Sequence, residues 1–221
     1  MTTSNMSRRE KQQHTRSSLL KAAGKVFCRS GLEGASVDQV AQAAGYTKGA
    51  FYANFKSKEE LFLVMLDERF ARELERIDAA LAGSGEPHTE ARAAAADFIH
   101  FAGDEDWPRL YFQFVAHAAR DDEFRQELAT RQQAMREKLA ETFARWKQGV
   151  DQDGHPPLPM EEVAAMICCM ADGFLVDRMI EPGLSDELYE KMVDVFLRGL
   201  EALGSEAAIR TPFGRRPADS G

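Results

Sequence analysis

Lys48 and Tyr52 stand four residues apart in the stretch GYTKGAFYANFKSKEEL, residues 45–61. On a helix that spacing sets an ammonium and a phenol side by side on one face. Lys56 and Lys58 add two more cations close by, and lysines so placed can neutralise phosphates. Thr47 and, upstream, Ser36 are hydroxyl residues of the kind that cap helix N-termini. A helix N-terminus presents free backbone N–H groups to an anion, so both positions can donate hydroxyl and N–H bonds to phosphate. Ala50 and Ala53 keep the short helix slim, while Phe51 and Phe55 supply a separate face to anchor it. The chemistry is that of polyanion recognition. Spacing alone leaves open that the Tyr52 ring simply packs on the surface.

Those residues need a scaffold, and the periodicity supplies an all-α one of about nine helices. Leu19, Leu20, Ala23, Val26 and Phe27 recur at helical spacing and predict a first helix over 8–30, broken by SGLEGAS. Ser36 caps a short helix over 37–44 that Gly45 ends, and Thr47 caps a third over 48–54. Ser57 with Glu60 reads as a capping box for a fourth helix reaching 82, buried through Leu61, Phe62, Met65, Leu66, Phe70, Leu74 and Ile77. Further helices follow over 89–102, 107–120, 123–147, 160–180 and 186–203. GSGEPH reads as a linker turn, GVDQDGHPPLP as a mobile loop, and 205–221 as a disordered tail. No alternating strand pattern and no internal repeat is visible.

Two short helices joined by a tight glycine turn form a helix-turn-helix, whose second helix enters the DNA major groove. The ordered block ASVDQVAQAAGYTKGAFYANFKSKEEL, preceded by an apolar helix ending in Phe27 and Gly31, resembles the TetR (tetracycline-repressor) family of transcriptional regulators. The resemblance runs from Ser7 to Leu66, and CMADGFLVDRMIEPG, residues 169–183, is similar to the family's eighth helix. It implies a dimeric repressor on a palindromic operator, with C-terminal helices that dimerise and hold an inducer pocket. By matched position, Lys48, Tyr52 and Lys56 contact DNA, Ser36 and Thr47 cap helices near phosphate, and Tyr46, Thr47 and Ala50 read bases. Arg16, with Arg8 and Arg9, is expected to reach a phosphate or the minor groove. Asn54 stands where the family often has histidine, which bears on operator preference. The division expected is a DNA-binding domain over 1–56 (1–7 disordered), a ligand-binding and dimerisation domain over 57–204, and the tail.

Charge is divided in the same way. The chain of 221 residues has a formal net charge of −8, yet residues 1–56 carry 9 Lys/Arg against 3 Asp/Glu and residues 57–221 carry 19 against 33. A basic head on an acidic body points to a polyanion partner for the head. No apolar run nears the ~20 residues that span a bilayer, and the polar N-terminus has no secretory apolar core. Cys28, Cys168 and Cys169 form neither a disulfide framework nor a CxxC pattern, and the last two are expected to be buried and inert. The expectation is a cytoplasmic protein with no cofactor, metal or membrane partner. The absence of GxSxG, HExxH, GxGxxG and P-loop patterns argues against an enzyme. The alternatives are an all-helical enzyme using the body's His/Asp/Glu set, including a weak metal trio of His100, His117 and Asp172, and a protein-interaction module. Salt-sensitive duplex binding separates DNA recognition from both.

The body is rich in aromatic residues and methionine. Its expected pocket is lined by Trp107, Tyr111, Phe114, Phe143, Met166, Met170 and Phe174, with Gln113 and His117 as the polar contacts for a mostly apolar small-molecule inducer. Gly173 inside a helix costs roughly 1 kcal/mol against alanine and is explained by close helix approach. Together with Met192, Phe196 and Leu200 of the last helix it forms the expected homodimer interface. Helix four is the expected link between pocket and head.

Overall fold

The computed structural model of the chain describes residues 7–83, 87–102, 106–150 and 158–205. Within them are nine helices and no strand: α1 Arg8–Gly34, α2 Val37–Ala43, α3 Lys48–Tyr52, α4 Lys58–Leu81, α5 Pro87–Ala102, α6 Asp106–Ala118, α7 Asp122–Val150, α8 Met160–Ile180 and α9 Asp186–Ser205. The tail beyond 205, residues 151–157 of the proline-rich run, residues 84–86 of the GSGEPH turn and residues 1–6 lie outside the described residues.

Local chemistry explains the ends of the first four helices. Ser7 and Glu10 make a reciprocal capping box at the start of α1. The helix does not stop at Ser30. Gly31 takes φ 68°, a left-handed conformation that glycine adopts without steric cost, and one more turn follows to Gly34. Ser36 and Gln39 box the start of α2. Gly45, at φ 79°, closes it, with the Tyr46 N–H donating to Ala41 O at 2.8 Å and the Gly45 N–H to Gln42 O at 3.0 Å. α3 ends two residues earlier than its periodicity predicts. There the Asn54 N–H donates to Phe51 O, three residues back, and tightens the chain. At α4 only half of the expected box forms: the Glu60 N–H donates to Ser57 Oγ, but the Glu60 carboxylate accepts from the Lys56 amide instead.

One continuous core joins α1, α2, α3, α4, α6 and the start of α7. Phe62 of α4 stacks on Phe114 of α6 with ring centroids 3.4 Å apart, and Phe27 of α1 meets Phe114 edge-on at 5.7 Å. Phe51 and Phe55 are fully buried in the same cluster, so the outer face of α3 is fixed by its inner one. α1 packs more extensively on α6 than on α4. A second cluster gathers Ile99 of α5, Phe174 of α8 and Tyr189 of α9. A third joins Ile77 of α4, Leu139 of α7 and Ala164 of α8.

Candidate nucleic-acid interface and ligand site

With Phe51 and Phe55 turned inward, α3 shows solvent its polar side. Tyr52 is 53% exposed, its ring edge-on to Phe51 at 5.5 Å. Lys48 is exposed and lies 2.9 Å from Asp38 in the first turn of α2. The hydrogen bond to Asp38, and its charge, raise the lysine pKa and keep the ammonium protonated. A solvent-exposed pair of this kind is weak, so a phosphate can replace Asp38 as partner. The Ser36 and Thr47 hydroxyls accept from the Gln39 and Ala50 amides, which leaves each O–H free to donate outward. Lys56 is exposed, Tyr46 and Ala50 half-buried.

Two cations expected to contact phosphate are engaged elsewhere. The Arg16 guanidinium donates to Asn54 O at 2.8 Å and lies 4.3 Å above the Phe55 ring, tying α1 to the end of α3. Lys58 Nζ donates to Leu32 O at 2.6 Å and Ala35 O at 3.3 Å. Both are struts of the head. Arg8 and Arg9 are exposed on the first turn of α1.

In the body the expected lining residues disperse. Phe114 belongs to the head–body core, Phe143 packs on the α4–α7–α8 cluster, and Phe174 and Met170 on the α5–α8–α9 cluster. Gln113 is exposed and accepts from the Leu32 N–H at 3.0 Å, so its carboxamide serves α1. His117 is half-buried against Phe124, 3.7 Å from Asp121 on the turn after α6. His100 is exposed, and His100, His117 and Asp172 do not come together. Among the described residues no three His, Cys, Asp or Glu side chains gather as a metal site.

A different cluster does form among α4, α6, α7 and α8. Arg69 and Glu73 of α4 are buried and paired at 3.1 Å, one helical turn apart. The Arg69 guanidinium lies 5.1 Å over the Trp107 ring, and Trp107 stacks on Tyr111 at 6.4 Å. The Tyr111 hydroxyl accepts from Gln132 Nε2 at 2.6 Å. Asp172 of α8 stands close enough for its charge to act on Tyr111 and Glu73, and the Cys168 thiol lies beside them. Burial raises the Glu73 carboxyl to about 7 against the pull of Arg69. Burial likewise raises Asp172 to about 6, opposed by Arg136, and pushes the Cys168 thiol up to about 12. Asp172 makes no hydrogen bond or ion pair with another described residue. Of the expected pocket, Trp107 and Tyr111 meet here; Arg69, Glu73 and Gln132 are additions from the structure.

A pH dependence follows from these raised carboxyls. Glu73 binds its proton more tightly folded than unfolded, so its contribution to stability is complete below about 4.5 and is lost as pH rises through about 7. Glu73→Gln removes that dependence. The thermal midpoint of the wild-type chain should therefore gain on that of Glu73→Gln as pH falls from about 8 to about 5.5. Parallel midpoints across that range would remove Glu73 from the buried cluster.

α8 and α9 present an apolar face outward. Met166, Cys169, Gly173, Val176 and Ile180 of α8 are exposed at spacings of three and four, and Leu188 and Val195 of α9 are exposed too. Met166 belongs to this face and not to a pocket, and Cys169 is exposed where burial was expected. Among the described residues a Cβ added at Gly173 would meet nothing within 4 Å, so no described neighbour explains that glycine. Met192, Phe196 and Leu200 are half-buried. Among the described residues no helix is long and apolar enough to cross a membrane.

Comparison with known proteins decides the family. Residues 19–65 match the model for bacterial regulatory proteins of the tetR family, and residues 87–202 match the C-terminal model of BetI-type transcriptional repressors. The chain belongs to the TetR family. Shigella flexneri AcrR, an HTH-type transcriptional regulator, is 33% identical over 147 residues, 65% of this chain and 66% of AcrR. Corynebacterium efficiens AcnR, an HTH-type transcriptional repressor, is 26% identical over 190 residues, 84% of this chain and 92% of AcnR. The crystal structure of a TetR-family regulator from Mesorhizobium loti superposes with a TM-score of 0.72 at 18% identity, covering 90% of this chain and 98% of that one. FadR of Bacillus subtilis, solved in complex with stearoyl-CoA, gives 0.62 at 18% identity, covering 87% and 99%. This TetR-family protein is thus a DNA-binding transcriptional regulator with a helix-turn-helix of α2 and α3; its relatives are named as regulators, not enzymes.

Proposed function

We propose that the protein is a dimeric repressor that binds a palindromic operator through α3 and is released when a small molecule enters its body. Lys48, Tyr52 and Lys56 grip phosphates, Ser36 and Thr47 add donors at helix N-termini, and Tyr46, Thr47 and Ala50 read base edges. The observation that carries this reading is Tyr52: a half-exposed donor on a short helix whose other face is locked by buried Phe51 and Phe55. Residues 1–56 act as the head and 57–204 as the body of a cytoplasmic protein. α8 and α9 pair across a two-fold axis, so the two recognition helices can meet half-sites about 34–36 Å apart.

The inducer is placed at the Arg69–Glu73, Trp107–Tyr111 and Asp172 cluster. Trp107 and Tyr111 suit a mostly apolar body. Arg69 offsets Glu73, which leaves the Asp172 carboxylate to disfavour an anionic group, so the polar part of the inducer is neutral or cationic.

Thermal shift with apolar probes that are cationic, neutral or anionic tests this reading, repeated with a duplex that the protein has selected from random DNA. A stabilising probe should lower duplex affinity, and the duplex should lower the probe's affinity by the same factor. Asp172→Asn should selectively weaken the cationic probes. If every stabilising probe leaves duplex affinity unchanged, ligand response is refuted and the body is a dimerisation and docking module.

A further inference from the structure

α1 does not run unbroken into the helix-turn-helix. At Gly31, φ 68°, the helical ladder breaks and a single further turn begins, closed by the Ala35 N–H donating to Gly31 O at 3.1 Å. A restarted helix has fresh N–H groups without partners in its own first turn. One of them, the Leu32 N–H, donates to Gln113 Oε1 of α6 at 3.0 Å, from a residue 81 positions further along the chain. The carbonyls of Leu32 and Ala35 accept from Lys58 Nζ at the start of α4. Ser36, the N-cap of α2, follows directly. The turn that delivers the helix-turn-helix is therefore tied by side chains of two other helices. Gly31 and Gln113 fit each other closely: a Cβ at position 31 would lie 3.2 Å from Gln113 Oε1. Arg120, just beyond α6, adds an ion pair to Glu33 at 3.7 Å, but both side chains are well exposed and the pair contributes little.

α6 also carries Trp107 and Tyr111 into the buried polar cluster, six and two residues before Gln113. We propose that Gln113 is a positioning residue for DNA binding: its carboxamide ties the Leu32–Ala35 turn to α6, so that displacement of α6 at the Trp107–Tyr111 end re-aims α2 and α3. This rests on the ligand-responsive reading above and assigns the link to α6, where the sequence pointed to α4. The more extensive packing of α1 on α6 agrees with it. Gln113 is solvent-exposed while Leu32 is buried, so the bond lies at the edge of the core, and parting of α6 from the turn would open the Leu32 N–H to water.

The test needs no inducer, because coupling between sites is reciprocal. The chain has two tryptophans, and Trp146→Phe leaves Trp107 as the only indole reporter on α6. In that background a selected duplex at saturation should change Trp107 emission. Gln113→Leu should still bind the duplex, about 5-fold more weakly for a lost cap, while the emission change falls below about half. Gln113→Glu keeps an acceptor for the Leu32 N–H and should restore the emission change. A full change in Gln113→Leu, or equal losses in the Leu and Glu variants, overturns the tie while leaving ligand response standing. Duplex binding with no Trp107 change in the Trp146→Phe protein overturns both.

Discussion

Alanine at both Lys48 and Tyr52 will lower operator affinity on the order of 100-fold, with helix content and subunit mass unchanged. The fold survives because neither side chain supports it. Tyr52 is 53% exposed, and the Lys48 ammonium has Asp38 as its one ion-pair partner among the described residues. Anchoring is left to Phe51 and Phe55, at 0% and 2% exposure. Loss of the lysine removes one cation from each of the two heads on the operator, so the slope of log affinity against log salt should fall by about 2. Tyr52→Ala alone should weaken binding without changing that slope, since a phenol releases no counterion. Fluorescence anisotropy across a salt series reads both effects. Binding by the double variant equal to that of the wild-type protein would remove α3 from the interface.

A charge on the outward apolar face of α8 and α9 will leave folded monomers. Val195→Glu combined with Gly173→Glu is the variant of choice. Val195 is 70% exposed, and among the described residues a Cβ at Gly173 touches nothing within 4 Å. Glutamate is a better helix former than glycine by several tenths of a kcal/mol, so α8 itself is strengthened. A two-fold interface repeats each substitution, which puts four carboxylates into a surface on the order of 2,000 Å². Dimerisation should weaken on the order of 1,000-fold, and operator affinity should fall with it because each monomer spans one half-site. Sedimentation that shows an unaltered dimer would move the interface off these helices.

Where local chemistry decides, the sequence foretells the fold. α8 begins and ends at the residues its apolar run predicts, because Pro159 precedes it and a Glu-Pro-Gly stop follows it. The inward Phe51 and Phe55 and outward Lys48 and Tyr52 of α3 follow from four-residue spacing. Gly31 shows the limit of such reading. A glycine after a long helix signals a stop, and whether the chain leaves the helix or restarts it depends on a cap from elsewhere, here Gln113. Arg16 misleads for the same reason. Its partner is the main-chain oxygen of Asn54, 38 residues away, and a carbonyl carries no sequence code. Arg69 and Glu73 did leave a trace. They fall in register with Phe62, Leu66 and Ile77, so two charges of opposite sign, one turn apart, interrupt a buried stripe. The half-buried Phe70 and Leu74 beside them offer a second apolar line that hides the interruption.

DNA recognition through α3 is tested most directly by selecting duplexes from a random pool with the wild-type protein and with Tyr52→Ala in parallel. The wild-type protein should enrich a two-fold symmetric sequence with half-sites one helical turn apart, bound with a steep salt dependence, and Tyr52→Ala should enrich it weakly or not at all. Recovery of the same sequence with the same efficiency by Tyr52→Ala, or no enrichment by the wild-type protein, would contradict it.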